Sequence, residues 1–180
     1  VWQDGRWDPT AAGATRRTVN AGAALGGDRL AISAPGGEVV TVPRHIDVRR
    51  VATFASVTRS AWAMRAAGLA ARALPALGGA LGSRMQRWAP APPPSAALRA
   101  KARFAVIAQA RRGFDTAEVA IHGADLYATA AAITAWLAVA LAARGAGPSG
   151  VLAPAEVLVA GPALAALAAA ADLDLVTSFT

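Results

Sequence analysis

The sequence predicts an α+β fold: a mixed, largely antiparallel sheet packed against a long, buried, Ala-rich helix, with a helical insertion. Three observations lead there. Short runs alternate apolar and polar residues between Gly, Pro, Asn and Asp turns, as half-buried strands do. The stretch from His122 to Gly145 carries the start, body and stop signals of one helix. Between these, residues 59–88 repeat apolar side chains at helical spacing and leave through a Pro-rich exit.

The elements follow in order. Val1 to Trp7 reads as a hairpin turning at Asp4-Gly5, with Trp2 and Trp7 packed across it. Arg16 to Asn20 and Leu30 to Ala34 are short strands around a Gly-rich loop. Pro35-Gly36-Gly37 turns the chain into Glu38 to Val42, a β-branched run expected to be a strand ended by Pro43. Arg50 to Val57 alternates again. In 59–88, Trp62, Ala66, Leu69, Ala73 and Leu77 form a helical stripe edged by Arg65 and Arg72, broken near Pro75 and Gly78-Gly79. Pro90 to Ser95 is polyproline-like, so 59–95 reads as an insertion. Arg103 to Arg112 and Ala117 to His122 form a hairpin around Gly113-Phe114-Asp115.

The helix expected over about Leu126 to Ala143 starts at Asp125, whose carboxylate suits an N-cap. Arg144 complements the helix dipole in the last turn, and Gly145 suits the left-handed position that follows it. Its side chains are apolar nearly all round, apart from Tyr127, Thr129 and Thr134. Such a helix is either buried on several sides or in a membrane. At ~18 residues it is at the lower limit for a span. Burial is the favoured reading, because Ala is small and only weakly driven into lipid. Val151 to Val159 reads as irregular. Gly161-Pro162 opens a last helix, and Leu173 to Phe179 alternates as a final strand.

The 180 residues suit one domain with an insertion. The formal charge of +7 comes almost entirely from Arg, with Lys101 the single Lys. The arginines are scattered rather than interleaved with aromatics, so a solvated surface is favoured and no nucleic acid is expected. No Cys is present, which excludes disulfides and thiolate chemistry. With two histidines, His45 and His122, a His-rich metal site is not expected. No signal peptide is visible; the opening Val1-Trp2-Gln3-Asp4-Gly5 lacks Met and reads as part of a longer chain. A cytoplasmic location is expected, with peripheral membrane association through 59–88 as an extension.

Gly145-x-Gly147-x-x-Gly150 matches the dinucleotide-binding fingerprint literally. It follows a helix, however, whereas the chemistry needs a strand before it and a helix N-terminus after it. The serines include no nucleophile-elbow pattern. The polar residues with chemical capacity are Arg44, His45, His122 and Asp125, with Tyr127 beside them. Arg can hold a carboxylate or phosphate, and His can move a proton. The plainer reading, which is preferred, has Asp125 capping its helix and the histidines satisfying loop carbonyls.

Three segments carry a family resemblance. Gly37-Glu38-Val39-Val40-Thr41-Val42-Pro43-Arg44-His45-Ile46, Gly123-Ala124-Asp125-Leu126-Tyr127-Ala128-Thr129-Ala130-Ala131 and Gly150-Val151-Leu152-Ala153-Pro154-Ala155-Glu156 occur in the order seen in saccharopine dehydrogenase-like oxidoreductases. With the opening hairpin, the resemblance extends over nearly the whole chain except 58–100. It implies an N-terminal Rossmann domain that binds NAD(P), followed by an α+β domain on a mixed sheet that shapes the substrate cleft and often the dimer interface. Residues 1–180 correspond to that second domain.

The resemblance implies no cofactor within this chain and no turnover by it alone. The full-length parent would use NAD(P). The implied partners are the Rossmann domain, a second copy in a homodimer, and an apolar or carboxylate-bearing substrate. Arg44 and His45 match the family's motif, and substrate-binding candidates are Arg44, His45, His122 and Tyr127. The competing class is a non-enzymatic interaction or membrane-surface module using the basic amphipathic segment 59–88.

Overall fold

The structure, a computed structural model, describes residues 1–11, 13–56, 60, 62–66, 69, 94–145 and 147–179. Most of the insertion expected over 59–95 lies outside the described residues, including its break at Pro75 and most of its Pro-rich exit. Helices and antiparallel sheets alternate along the chain, an α+β composition. Where the sequence reads as one domain, the chain divides into two compact units, Val1–Ala21 with Gly26–Pro93, and Gly22–Leu25 with Pro94–Thr180.

The first unit begins with the expected hairpin, β1 (Trp2–Gln3) against β2 (Arg6–Trp7). Asp4 and Gly5 both have positive φ (48° and 83°), as a two-residue turn matched to strand twist requires. Trp2 and Trp7 meet edge-to-face at 5.1 Å between ring centres. Their indole N–H groups donate to the carbonyls of Val48 and Val39, both at 3.0 Å. β1 also pairs with β5 (Arg50–Val51). A second sheet joins β3 (Arg16–Asn20), β4 (Asp28–Ser33) and β6 (Phe54–Ala55), with Arg17 over the Phe54 ring.

Among the described residues of this unit, Gly13, Ala21, Ala31, Ile32, Ser33 and Met64 are buried. Residues 62–66 are helical, and Met64 points inward while Trp62 is exposed. Ser33 is buried and polar, and its hydroxyl accepts from the Thr15 N–H at 3.2 Å and donates to the Ala11 carbonyl at 3.4 Å. Ser33→Ala is expected to lower stability by about 1–2 kcal/mol by leaving both groups without that partner. Urea denaturation checks this; an unchanged midpoint would refute it.

The strand expected over Glu38 to Val42 is corrected. Glu38–Thr41 forms a helical turn, α1, and Val42–Arg44 continues it as a 3-10 turn. β4 pairs with β3 from Asp28 to Ile32 and with β6 only at Ile32 and Ser33, and Glu38–Val42 joins neither ladder. Local bonds then decide: the Thr41 hydroxyl donates back to the Gly37 carbonyl at 3.3 Å, and Pro43 supplies a helical φ in the following turn. β-propensity reflects fit to a pleated surface, and it yields here to a turn that closes on its own hydrogen bonds.

The second unit is built on β7 (Arg103–Arg112), β8 (Asp115–Ala124) and β9 (Asp174–Phe179), in the order β7-β8-β9. α2 (Ala96–Lys101) precedes β7, with Ser95 as its N-cap accepting from the Leu98 N–H at 3.3 Å. After β8 come α3 (Leu126–Ala143), a single turn α4 (Pro154–Val157) inside the segment read as irregular, and α5 (Ala160–Ala170). α3 runs away from the end of β8 and α5 runs back, so β9 starts beside the end of β8. Leu175 therefore opposes Ile121, and Asp174 opposes His122.

A second correction concerns the sheet. The expected mixed sheet is three separate sheets, and every pairing among the described strands is antiparallel. A third concerns α3, whose limits agree with expectation. Of its side chains only Thr129 is fully buried. Ala132, Ile133, Trp136, Leu137 and Ala140 are half-buried along one stripe, and the rest of the helix is exposed. A uniformly apolar sequence carries no record of which side faces the core. Asp125 does cap α3, accepting from the Ala128 N–H at 3.1 Å, but from a left-handed backbone with φ 46°. Gly145, with φ 74°, takes the left-handed position after the helix.

Candidate functional site

One end of the β7-β8-β9 sheet carries the candidate site. The register sets Arg103 opposite Ala124, Phe104 opposite Gly123 and Ala105 opposite His122. On its other side His122 faces Asp174. Directly opposed residues of an antiparallel pair share a face, with Cβ atoms about 4.5–5.5 Å apart. His122 and Asp174 therefore share one face at the sheet end.

The His122 ring lies against Gly22. A Cβ at Gly22 would fall 2.7 Å from His122 Cε1, and Gly22 has φ +80°, a conformation glycine adopts without strain. On the opposite face of β8, Gly123 lets Phe104 and Leu173 close over the strand. A Cβ there would be 2.7 Å from Phe104 Cζ and from Leu173 Cδ2. The two glycines thus seat a polar ring on one face and an apolar lid on the other.

Two adjoining clefts share Arg103 and Phe104. The first, open and about 400 Å³, is lined by Leu25, Arg103, His122, Asp172 and Asp174 among others. The second, about 280 Å³ and apolar, lies between α2 and the start of α3, with Leu98, Phe104, Leu126 and Tyr127 on its walls. Arg103 is held by two bonds from its guanidinium, to the carbonyls of Ala100 (2.9 Å) and Ala102 (3.2 Å). This places a cation between the clefts. Asp125 serves both its helix and Arg99, whose Nε is buried, makes no hydrogen bond and lies 3.6 Å from the Asp125 carboxylate.

His122, Asp125 and Tyr127 are thus brought together by one turn of chain at the end of β8. Arg44 and His45 are in the other unit, exposed at the end of the 3-10 turn rather than at a strand end. The residues not singled out from sequence are Arg99, Arg103, Phe104, Asp172, Asp174 and Gly22. Arg103 and Phe104 were within reach of the hairpin register; Asp174 required knowing that β9 lies beside β8. Among the described residues, no group of three or more His, Asp or Glu is placed to hold a metal ion. α3 is the one helix among them long and apolar enough to cross a membrane, by length and composition alone.

The arrangement can hold an anionic group at Arg103, exchange a proton at His122 and cover a hydrocarbon segment between Leu98 and Tyr127. No protein-family model, no curated protein and no solved structure matches the chain.

Proposed function

We propose that this chain is the substrate-binding and oligomerisation part of a saccharopine dehydrogenase-like NAD(P)-dependent oxidoreductase, whose cofactor is bound by a Rossmann domain outside residues 1–180. The observation that carries the reading is positional. Gly123 to Tyr127, the core of the second resembling segment, forms walls of both clefts: Gly123 in the first, Asp125, Leu126 and Tyr127 in the second.

In this reading a nicotinamide held outside residues 1–180 would supply hydride chemistry, and the residues of this chain would bind and orient the C=N or C=O substrate. His122 would supply the proton to the heteroatom from the wall of the first cleft. Arg103 holds a substrate carboxylate, and the Leu98–Tyr127 cleft takes an apolar substituent.

The reading is tested in two parts. NADPH titrated into the chain alone gives no calorimetric binding at micromolar concentration, because the strand–Gly-rich turn–helix unit is missing from this sequence. In the natural full-length protein, NADPH oxidation is present, and His122→Asn lowers kcat about 100-fold or more, with little change in NADPH affinity. Micromolar NADPH binding by the chain alone, or a natural coding sequence without a strand followed by Gly-x-x-Gly-x-x-Gly, would overturn it. The competing membrane-surface module over 59–88 draws on the exposure of Trp62 and Leu69. Vesicle binding lost on deletion of 61–89, with no reductase activity in the intact protein, would favour it.

A further inference from the structure

We propose that Phe104 is a specificity-determining residue: its ring divides the two clefts, and so limits the length of the hydrocarbon chain that a carboxylate-headed substrate can carry. This rests on the reading of the site above and assigns it a residue that selects among substrates.

The second cleft is built for hydrocarbon. Its walls Leu98, Leu126 and Tyr127 are 62%, 53% and 62% exposed, so three large apolar side chains face water around one apolar hollow. The carboxylate on its wall, Asp125, already has a cation 3.6 Å away in Arg99. Arg103 is the other cation there. Both bonds that tie it to the end of α2 use Nη1, which leaves the Nε–Nη2 edge, the edge that holds a carboxylate by two parallel bonds. A carboxylate at Arg103 with a chain between Leu98 and Tyr127 satisfies both features.

The two clefts have only Arg103 and Phe104 in common among the described residues. Arg103 is tied to main-chain carbonyls, so the part of the partition that can be altered is the Phe104 ring. Its end is seated over Gly123. A Cβ at Gly123 would fall 2.7 Å from Phe104 Cζ and 2.8 Å from Cε1. Gly123 is in β8 and is not among the glycines of positive φ, so its backbone does not call for glycine but the ring above it does. With the ring in place the second cleft offers about 280 Å³; a cavity of about 150 Å³ takes benzene, so this one takes roughly twice that, a chain on the order of ten carbons. Without the ring it would open into the first cleft, where Ala24, Leu25 and Leu173 supply further apolar wall.

Tyr127 is the single tyrosine of the chain, so its ring resonance reports this cleft directly. The chain alone is titrated with hexanoate, octanoate, decanoate and dodecanoate, each below its micelle-forming concentration. Affinity is expected to rise about fourfold per methylene while the cleft fills, and to change less than about twofold from decanoate to dodecanoate. Decanol, with the same chain and no anion, should bind about tenfold more weakly than decanoate. In Phe104→Ala, hexanoate should weaken because a wall is lost, whereas dodecanoate should bind about tenfold tighter than decanoate. A merely loosened fold would weaken both ends of the series together. If Phe104→Ala fails to fold, Gly123→Ala displaces the ring while keeping it, and should move the length at which affinity levels off. Leu98→Asp should weaken decanoate about tenfold or more, since it sets a charge in the path of the chain. A parent series with no levelling overturns the proposal. So does levelling at an unchanged length in the Phe104 or Gly123 variant, or decanoate binding indifferent to Leu98→Asp. No nicotinamide enters these titrations. Acids bound as described by a protein whose intact form oxidises no NADPH would keep this cleft and its filter while removing the oxidoreductase reading.

Discussion

Ile133→Asp is expected to be the most destabilising single substitution in α3. Ile133 is half-buried on the stripe of Thr129, Ala132, Trp136, Leu137 and Ala140 that faces the rest of its unit. The change removes apolar contact and sets a carboxylate where no cation of α3 is within reach, since Leu126–Ala143 contains none. Partial exposure lets the charge find some water, which brings the expected loss to about 3 kcal/mol rather than the larger penalty of a fully buried charge. For a chain of this size that corresponds to a fall of about 6–12 °C in Tm. The comparison is Ala138→Glu on the open face, which should shift the melting of the dilute monomer by less than about 1 kcal/mol, the scale of helix propensity. If the two variants melt alike, the inward and outward sides of α3 are not as described.

That pair of substitutions also marks the limit of what the sequence conveys about this helix. Its ends are local matters and were legible: Asp125 before it, Gly145 after it. Its orientation was not, because nearly every position is apolar and no periodicity separates an inner from an outer side. The hairpins followed the same logic. Asp4-Gly5 and Gly113-Phe114 announce their turns, and β7 and β8 pair along their whole length around the second. The 38–44 segment misled because a β-branched run makes a strand only when it joins a ladder, and here the chain closes a helical turn on its own bonds instead.

α2 was missed although Ser95 and the Arg99 and Lys101 of its last turn are ordinary capping signals. The proline run before it drew the reading toward a connector. At the site, His122, Asp125 and Tyr127 are neighbours along the chain and could be grouped from sequence. Asp174 and Gly22 come from 52 residues after and 100 residues before His122, differences read directly from the numbering. Only register and packing join them.

Gly22 supports the last expected result. Any side chain there meets two penalties. Its φ of +80° is strained for a residue with a Cβ, and that Cβ would lie 2.7 Å from His122 Cε1. The first penalty, about 1 kcal/mol for Ala, is independent of His122. The second exists only while the imidazole is in place. The nearest contact is a carbon at the outer edge of the imidazole, so the His122 ring must shift to admit a Cβ. Gly22→Ala is therefore expected to cost about 2–3 kcal/mol, more than backbone strain alone. In a background of His122→Ala, the same substitution should cost only about 1 kcal/mol, a coupling of 1 kcal/mol or more between two residues far apart in sequence. Urea denaturation of the four proteins measures it. Under the function proposed above, Gly22→Ala should also lower kcat of the intact protein, because it would displace the His122 ring that the proposal makes the proton donor. Additive free energies would mean that Gly22 is present for its backbone alone, and that the His122 ring is not held where its proton could be used.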